Sequence, residues 1–248
     1  MQRLIFGLGM VAALLPPSAV FAQDASTAMA GASHEGKYVF VLFHKEDDEA
    51  TRATRQTLQT ALAKRSAQAA SVSVRVGDPA AKALVERYGV ARSPMPLVLA
   101  VAPNGAVTGG FAVKLTEQDV AKAFVSPGQA AAMKGVQVRK LVLVCALPAG
   151  AATVPEGVRD FKADARYGAA TEVVNVRLDD AAEAGFLKAL QIDSGAKTPV
   201  TALLVPPGRL LGTFPATATK QQMVERVTSL QGCCPGGKCC PGGCCGKP

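Results

Sequence analysis

Cysteine is the residue type in this chain with the clearest capacity for chemistry. Six of the seven cysteines lie in the C-terminal segment 232–248, where Pro-Gly-Gly-Lys and Pro-Gly-Gly separate three vicinal pairs. The pairs are Cys233 and Cys234, Cys239 and Cys240, and Cys244 and Cys245. Proline and glycine favour turns and oppose helix and strand. The segment is therefore predicted to be a disordered, flexible tail whose thiols are not explained by packing in a core.

Binding of a soft metal ion is the first chemistry that these pairs indicate. Thiolates prefer Cu(I), Zn(II) or Hg(II)-like ions to calcium or magnesium. The Pro-Gly-Gly turns would let the pairs fold back on one another, so that several sulfurs could surround one ion. Lys238 and Lys247 favour the thiolate form. All six tail cysteines are therefore candidate metal ligands, and Cu(I) or Zn(II) is the expected ion.

The N-terminus has the pattern of a secretory signal peptide, residues 1–22. Arg3 gives a short positive region, Leu4 to Leu15 are apolar, and Val20-Phe21-Ala22 fits the rule for cleavage before Gln23. No later stretch has about 18 uninterrupted apolar residues, so no stable membrane span is expected after cleavage. The protein is predicted to be periplasmic or secreted, and thus in an oxidising compartment.

Disulfide chemistry is the alternative use of the tail in such a compartment. The six thiols could form bridges within the tail or between chains. A vicinal pair is difficult to close on itself, so bridges between pairs are favoured. The alternative function is therefore thiol–disulfide exchange or cross-linking, with a disulfide-linked oligomer as one product. In both cases a protein partner or a metal donor or acceptor is expected, and the sequence does not identify it.

Composition is sufficient for a buried core, and the distribution of charge argues against a nucleic-acid partner. With 248 residues and 49% hydrophobic residues, the chain can bury a core in one large domain or two smaller ones. The net charge of +8 comes from Lys and Arg dispersed along the chain. Since no basic run is interleaved with aromatic residues, a nucleic-acid partner is not expected.

The body of the chain repeats itself at a nearly constant offset. Four segments of the first half return in the second: 37–43 as 140–146, 78–90 as 180–192, 95–105 as 198–208, and 116–124 as 219–227. The offset is 103 positions for three of them and 102 for the segment that begins at Asp78. Such an offset predicts two copies of one fold. The predicted domains are 37–126 and 137–231, with linkers at 23–36 and 127–136.

Each copy is predicted to have the order β-α-β-α-β-β-α. The first strand, near Tyr38 to Phe43, is apolar throughout, as expected for a strand covered on both faces. In the first copy, helices are expected over 49–65 and after Asp78, which is a plausible cap. Thr116 with Asp119 and Thr219 with Gln222 are candidate caps of the last helix in each copy. The second copy's first helix is placed after Pro155, with inward side chains at Val158, Phe161 and Ala165.

This order resembles the thioredoxin fold over nearly all of residues 37–231. The most specific landmark is a proline before the third strand, nine residues ahead of a hairpin glycine, as in Pro96 to Gly105 and Pro199 to Gly208. The resemblance implies cis peptide bonds at Met95–Pro96 and Thr198–Pro199. In the first copy Pro94 is a rival, because counting from Tyr88 favours it.

The redox motif of thioredoxins is missing from both copies. The resemblance places a Cys-x-x-Cys after the first strand, where this chain has His44-Lys-Glu-Asp-Asp-Glu49 and Leu147-Pro-Ala-Gly-Ala-Ala152. Without a thiolate there, dithiol oxidoreductase activity is not expected, and no catalytic residue is assigned. The chain has no Gly-x-Gly-x-x-Gly, so neither a nucleotide nor a flavin is expected. The tail resembles metallothionein segments in its density of cysteine, although their typical Cys-x-Cys spacing is missing.

Two residue sets inside the copies have alternative interpretations. Acidic residues at 46–49 suit the positive end of a helix, or could form a hard-cation or substrate site with His44. Cys145 lies within a predicted strand, at the position of Leu42 in the first copy. It is expected to be a buried core thiol, because free cysteine is among the most buried residue types.

Overall fold

The computed structural model describes residues 22–151 and 153–229 and contains two repeats of one architecture. The first repeat consists of α1 (Ala22–His34), β1 (Tyr38–His44), α2 (Glu49–Ala63), β2 (Ala69–Arg75), α3 (Lys82–Tyr88), β3 (Leu97–Val101), β4 (Val107–Ala112) and α4 (Glu117–Ala123). The second consists of α5 (Pro127–Gln137), β5 (Leu141–Leu147), α6 (Glu156–Ala163), β6 (Thr171–Arg177), α7 (Ala184–Ala189), β7 (Val200–Val205), β8 (Arg209–Pro215) and α8 (Lys220–Thr228). Short 3-10 helices lie at Pro79–Ala81, Val90–Arg92, Gly168–Ala170 and Ala181–Glu183.

Each repeat is built on a four-stranded sheet, in the orders β2-β1-β3-β4 and β6-β5-β7-β8. The first two strands of each sheet in sequence are parallel, and the remaining pairs are antiparallel. Leu42 pairs with Val98, and the equivalent Cys145 pairs with Thr201. The sequence repeat is therefore also a repeat of strand register. This is the thioredoxin-like topology, and the predicted fold class of two tandem thioredoxin-like α/β domains is confirmed for the described residues.

The central strands are apolar at nearly every position because helices cover both faces of each sheet. On β1, Val39, Val41 and Phe43 pack in the cluster that contains side chains of α1 and α3. The alternate residues Phe40 and Leu42 pack in the cluster of α2 and α4. The period-2 alternation of a strand thus sends every second side chain of β1 into one of two cores.

The helix caps expected from the sequence are confirmed. The carboxylate of Asp78 accepts the backbone N–H of Ala80 at 2.9 Å. Thr116 with Asp119 and Thr219 with Gln222 form complete capping boxes at the starts of α4 and α8. On α6, Val158 and Phe161 are buried as predicted. The inward position of Ala165 is wrong, because the backbone leaves the helical region at Asp164 and Ala165 is exposed.

The predicted linker 23–36 is wrong, since most of it forms α1. Ala25, Met29 and Ala32 recur at helical spacing and are buried against the first repeat's core. Ala, Ser and Gly give the segment the composition of a linker, although its buried side chains recur at helical spacing. The first repeat therefore begins with a helix that the predicted β-α-β-α-β-β-α order omits.

The predicted linker 127–136 is wrong for the same reason, because it forms α5. The hydroxyl of Ser126 accepts the backbone N–H of Gln129 at 3.2 Å, and Pro127 occupies the first turn. Ala132 and Val136 are buried in the second repeat's core. Since α1 and α5 precede equivalent strands at the 103-residue offset, both repeats have the same additional helix.

Helix α5 and the residues before it also contact the first repeat. The side-chain amide of Gln137 accepts the N–H of Val107 at 2.9 Å and donates to its carbonyl at 2.6 Å, at the outer strand β4. The hydroxyl of Tyr38 donates to the carbonyl of Val125 at 2.9 Å and accepts its N–H at 3.2 Å. Ala130 packs in a small cluster with Ala102 and Ala106. These contacts join the two repeats through the start of the second.

A buried carboxylate stabilises the start of α5. Glu183 is 4% exposed, and its two oxygens accept the Ser126 hydroxyl at 2.5 Å and the Gly128 N–H at 2.7 Å. A Cβ at position 128 would overlap Val176 and the Glu183 carboxylate, so glycine is required for this approach. The negative charge lies at the positive end of the helix dipole, where it is favourable.

The cis peptide bonds of the described residues are Met95–Pro96 and Pro206–Pro207. The prediction at Met95–Pro96 is confirmed, and the rival Pro94 is excluded. The prediction at Thr198–Pro199 is wrong. The proline-to-glycine spacing is the same in both repeats, but trans and cis X-Pro bonds differ by only about 0.5–1 kcal/mol, so spacing alone does not decide the isomer. No helix of the described residues is long and apolar enough to cross a bilayer.

Candidate functional site

The six tail cysteines at positions 233–245 lie outside the described residues, and the seventh cysteine is buried in a sheet. Cys145 is in the middle of β5 and has no exposed surface, which confirms the expected core thiol. The Thr201 hydroxyl contacts its sulfur at 3.7 Å. Burial raises the pKa of Cys145 to about 11, so at neutral pH it is a protonated thiol and a poor nucleophile.

In the first repeat, residues of the two neighbouring strands flank the position of the missing redox motif. β1 ends at His44, which pairs with Arg75 on the parallel strand β2. On the other side Phe43 pairs with Leu97, and this brings Pro96 of the cis bond next to His44. The Nε of Arg75 donates to the carbonyl of Lys45 at 3.1 Å and fixes the loop that follows the strand.

His44 is a half-buried imidazole whose Nδ1 is buried and has no hydrogen-bond partner among the described residues. Burial lowers the pKa of His44, and the cations Arg55 and Arg75 act in the same direction. The backbone of Glu46 and the carboxylate of Asp47 oppose this shift. At neutral pH His44 is therefore a neutral imidazole, the form that can accept a proton or bind a metal.

Two of the four acidic residues beside His44, Asp47 and Asp48, already have partners within the protein. Asp48 caps α2 by accepting the N–H of Thr51 at 2.8 Å, and this hydrogen bond lowers the pKa of Asp48. Asp47 forms an ion pair with Arg55 at 2.8 Å, and the hydrogen bond from Arg55 lowers the pKa of Asp47. Over residues 22–151 and 153–229, no three His, Cys, Asp or Glu side chains are placed to hold a metal ion. The geometry supports a charged helix start and does not form the alternative cation site.

The second repeat has no titratable side chain at the equivalent position. Leu147 replaces His44, pairs with Arg177 and is buried. Arg177 donates to the carbonyl of Ala151 at 3.4 Å, as Arg75 does in its own loop, and also pairs with Asp179 at 3.1 Å. The loop architecture is therefore kept while the reactive side chain is replaced by an apolar one.

The two sheets have the thioredoxin-like topology, and His44 and Leu147 end their first strands, where the redox motif would follow. The chain is therefore a tandem thioredoxin-like protein with no cysteine pair among its described residues. No protein-family model matches the chain, and no curated protein matches it.

Several solved structures have similar folds at low identity. The germline-specific thioredoxin Deadhead of Drosophila melanogaster is 20% identical over 43% of this chain and 93% of its own, with a TM-score of 0.34. The NTD_N/C domain of alkylhydroperoxide reductase AhpF from Enterococcus faecalis is 16% identical over 82% of this chain and 97% of its own, with a TM-score of 0.29. The zinc-bound form of human ERp44 is 10% identical over 87% of this chain and 60% of its own, with a TM-score of 0.36. Likeness at this level concerns the fold alone.

The sequence interpretation missed a second polar position, in a cavity between α1 and α3. Arg87 and Tyr88 line this cavity together with side chains of α1. One wall of this cavity is α1, which the sequence analysis predicted to be the linker 23–36, so the cavity could not be predicted. The 103-residue offset that aligns Tyr38 with Leu141 also aligns α1 with α5, so following it upstream would have placed both segments inside the repeats.

Proposed function

We propose that this is an exported, non-catalytic tandem thioredoxin-like protein whose tail cysteines bind or hand over a soft metal ion, Cu(I) or Zn(II). The distribution of cysteine carries the proposal. The one cysteine within the repeats, Cys145, is fully buried, and the other six are concentrated between positions 233 and 245. Thiol chemistry in this chain therefore belongs to the tail.

The composition of the tail supports binding of a soft ion by thiolates. Three vicinal pairs within 13 positions supply more sulfur ligands than the four that a tetrahedral zinc site uses. Lys238 lies between the first two pairs and Lys247 follows the third. Their positive charges favour thiolate over thiol, so metal binding should release protons and weaken at low pH.

Export is part of the same proposal. The predicted cleavage after Ala22 would leave the packed residues of α1, Ala25, Met29 and Ala32, in the mature chain. Removal of residues 1–22 is thus compatible with an intact first repeat. The partner would be a metal donor or acceptor that docks on the tandem domains.

The direct test is metal uptake by the mature chain, residues 23–248. After reduction, free thiols are counted and bound copper and zinc are measured by mass spectrometry following exposure to micromolar metal. At least one ion per chain is expected, and a variant with all six tail cysteines changed to serine should bind none. Cys145→Ala is the matched control and should keep full uptake. Fully reduced tail thiols that bind less than one ion per chain would refute the metal proposal.

Disulfide cross-linking through the same cysteines is the second candidate, favoured by the oxidising compartment that the signal sequence predicts. It predicts oligomers on non-reducing gels that disappear in the six-serine variant. A monomer with all tail thiols free would count against it. Both candidates treat the repeats as inactive in dithiol exchange, so insulin reduction that survives deletion of residues 232–248 would contradict both.

A further inference from the structure

A groove of about 520 Å³ lies beside β6, an outer strand of the second sheet. Its walls come from α5, from β6 and from Asn104 in the hairpin between β3 and β4 of the first repeat. The volume is within the range of about 300–1,000 Å³ that ligand sites occupy. Since both repeats contribute walls, the groove depends on the tandem arrangement.

The backbone of β6 has hydrogen-bonding groups on the side that faces away from β5. The two strands are parallel, and the N–H of Leu178 donates to the carbonyl of Leu147 at 2.9 Å. Because the backbone groups of successive residues in a strand point to opposite sides, Val174 also directs its backbone groups to β5, whereas Val173 and Asn175 direct theirs outward. Both outward residues line the groove, and no second strand pairs with this side of β6 in the described part of the chain. An edge of this kind is a template for another extended chain.

Helix α5 contributes an exposed apolar side chain and an unpaired cation to the groove. Val138 lines it and is 51% exposed, although it is a large apolar residue. Lys134 lies one helical turn earlier, so the two side chains are neighbours. Its Nζ donates to the Gly105 carbonyl at 3.3 Å and forms no ion pair with a carboxylate of the described residues. The other lysine of the groove, Lys140, is paired with Glu172 at 2.9 Å. An ammonium group has three N–H donors, so Lys134 retains donors for an anion.

The equivalent outer strand of the first repeat, β2, has a different environment. Ser71 of β2 is equivalent to Val173, and Gly31 of α1 is equivalent to Lys134. The hairpin wall of the groove comes from the repeat that precedes β6 in the chain, and β2 has no preceding repeat among the described residues. The edge of β2 therefore has neither the cation nor the second wall, which makes it an internal comparison.

We propose that this groove binds an extended peptide with an acidic side chain, which adds to the sheet as a strand beside β6. In this mode of recognition, backbone hydrogen bonds supply affinity and alternate side chains supply specificity. The N–H and C=O groups of Val173 and Asn175 pair with the peptide backbone. On the α5 side of the sheet, Lys134 binds the peptide's carboxylate and Val138 contacts an apolar side chain.

The chain's own tail is a poor occupant of the groove. Segment 230–248 contains two lysines and no acidic residue, so it does not complement Lys134. Its prolines also lack the N–H that a strand ladder requires. The peptide therefore belongs to a partner protein. The site needs neither the tail nor a metal ion, so its failure would leave the metal proposal unaffected.

Fluorescence anisotropy with the reduced mature chain, residues 23–248, tests the site with short peptides. The probe is the amidated hexapeptide Ser-Val-Glu-Val-Thr-Ser with a fluorophore at its N-terminus. It should bind about tenfold more tightly than the same peptide with Gln in place of Glu, as expected for one added charge-assisted contact.

Two N-methylated versions of the probe test strand addition itself. One is methylated on the backbone nitrogens of its odd positions and the other on those of its even positions. Alternate N–H groups of a strand point to opposite sides, so only one version should lose affinity, by at least about tenfold. Equal loss in both versions, or no loss in either, would overturn the proposed strand addition.

Variants of the protein assign the binding to β6 and α5. Val173→Pro removes an N–H that faces the groove and should weaken binding at least about tenfold. Proline is tolerated on an outer strand where its missing N–H would face away from the sheet. Ser71→Pro makes the equivalent change in β2 and should bind as the parent does. Circular dichroism shows whether each variant is folded.

The charge is tested by Lys134→Met, which keeps the length of the side chain. It should weaken binding of the Glu peptide about tenfold and leave the Gln peptide unchanged. Lys188→Met removes the same charge from an exposed position of α7 and should affect neither peptide. These results decide the question even if Val173→Pro does not fold.

The six-serine tail variant should bind the probe as well as the parent chain does. Loss of binding in that variant would place the peptide on the tail and overturn the proposal. Parent-like affinity in folded Val173→Pro or in Lys134→Met would also overturn it, as would no binding of the probe up to about 1 mM protein.

Discussion

At equivalent positions the two repeats carry side chains of opposite polarity while keeping the same strand order and register. His44 ends β1, and Leu147 ends β5. Arg87 on α3 corresponds to Ala189 on α7. Since the second repeat forms the same fold with apolar residues at these places, the fold does not require the polar ones. The polar residues of the first repeat are therefore candidates for binding.

At a second pair of equivalent positions, the second repeat carries the polar side chain. These positions lie where the first helix of each repeat meets the 3-10 helix that precedes its third helix. In the first repeat Ala25 and Ala81 are buried at the equivalent positions. In the second, Gly128 and the carboxylate of Glu183 replace them and are joined by a hydrogen bond of 2.7 Å. This polar contact stabilises the helix at the junction between the repeats, so it has a structural role that the first repeat fulfils with alanines.

The largest expected effect comes from separating that pair. Glu183→Ala removes the acceptor of the Ser126 O–H and of the Gly128 N–H, while the Ser126 oxygen still accepts the Gln129 N–H. It should lower the free energy of unfolding by about 2–4 kcal/mol. Gly128→Ala forces a methyl group against Val176 and Glu183 and should cost about 1–3 kcal/mol. The double variant restores the alanines of the first repeat, and its loss should be smaller than the sum of the two by about 1 kcal/mol. Urea denaturation followed by circular dichroism measures all three.

Gly185→Ala is the matched control for these changes. A Cβ at Gly185 would meet no atom within 4 Å, and the residue lies inside α7. Alanine should therefore leave stability unchanged or raise it by about 0.5–1 kcal/mol. Strictly additive losses in the double variant would show that positions 128 and 183 are not coupled.

Sequence reasoning found the sheet strands and most helices because their signals are strong. The apolar run at Tyr38 to Phe43 and the capping boxes at Thr116 and Thr219 depend on local chemistry alone. Helices α1 and α5 were missed because Ala, Ser and Gly produce a weak apolar periodicity. The contact between Ser126 and Glu183 joins residues 57 positions apart, and no local pattern predicts such a pair. The cavity at Arg87 was missed because one of its walls is α1.

Capping should show equal effects in the two repeats. Thr116→Ala and Thr219→Ala each remove a hydroxyl that accepts the N–H of the third helical residue, at 3.2 Å and 3.4 Å respectively. Each variant should lose about 1 kcal/mol of stability. The matched variants Thr116→Ser and Thr219→Ser keep the hydroxyl and should lose less. Thermal unfolding would test this, and losses that differ between the repeats by more than about 1 kcal/mol would argue against equivalent caps.

A smaller, pH-dependent effect is expected for His44→Leu, which introduces the residue of the second repeat. Burial lowers the pKa of His44 in the folded state, so the unfolded chain binds the proton more readily. The stability that His44 contributes is therefore fully present above about pH 6.5, the ordinary pKa of histidine, and is lost as the pH falls below that value. Between pH 7.5 and pH 5.5 the parent should lose more stability than His44→Leu, by less than about 1 kcal/mol. A pH profile of His44→Leu identical to that of the parent would contradict this assignment.

The smallest effect on stability is expected for Tyr88→Phe, and a second tyrosine makes the test sharp. The Tyr88 hydroxyl is buried and has no partner in the part of the chain that the structure describes. Its removal should therefore change the free energy of unfolding by no more than about 0.5 kcal/mol, or raise it. The Tyr38 hydroxyl makes two hydrogen bonds to Val125, and Tyr38→Phe should cost about 1–2 kcal/mol by the same measurement. If Tyr88→Phe were as destabilising as Tyr38→Phe, the hydroxyl of Tyr88 would have a structural partner.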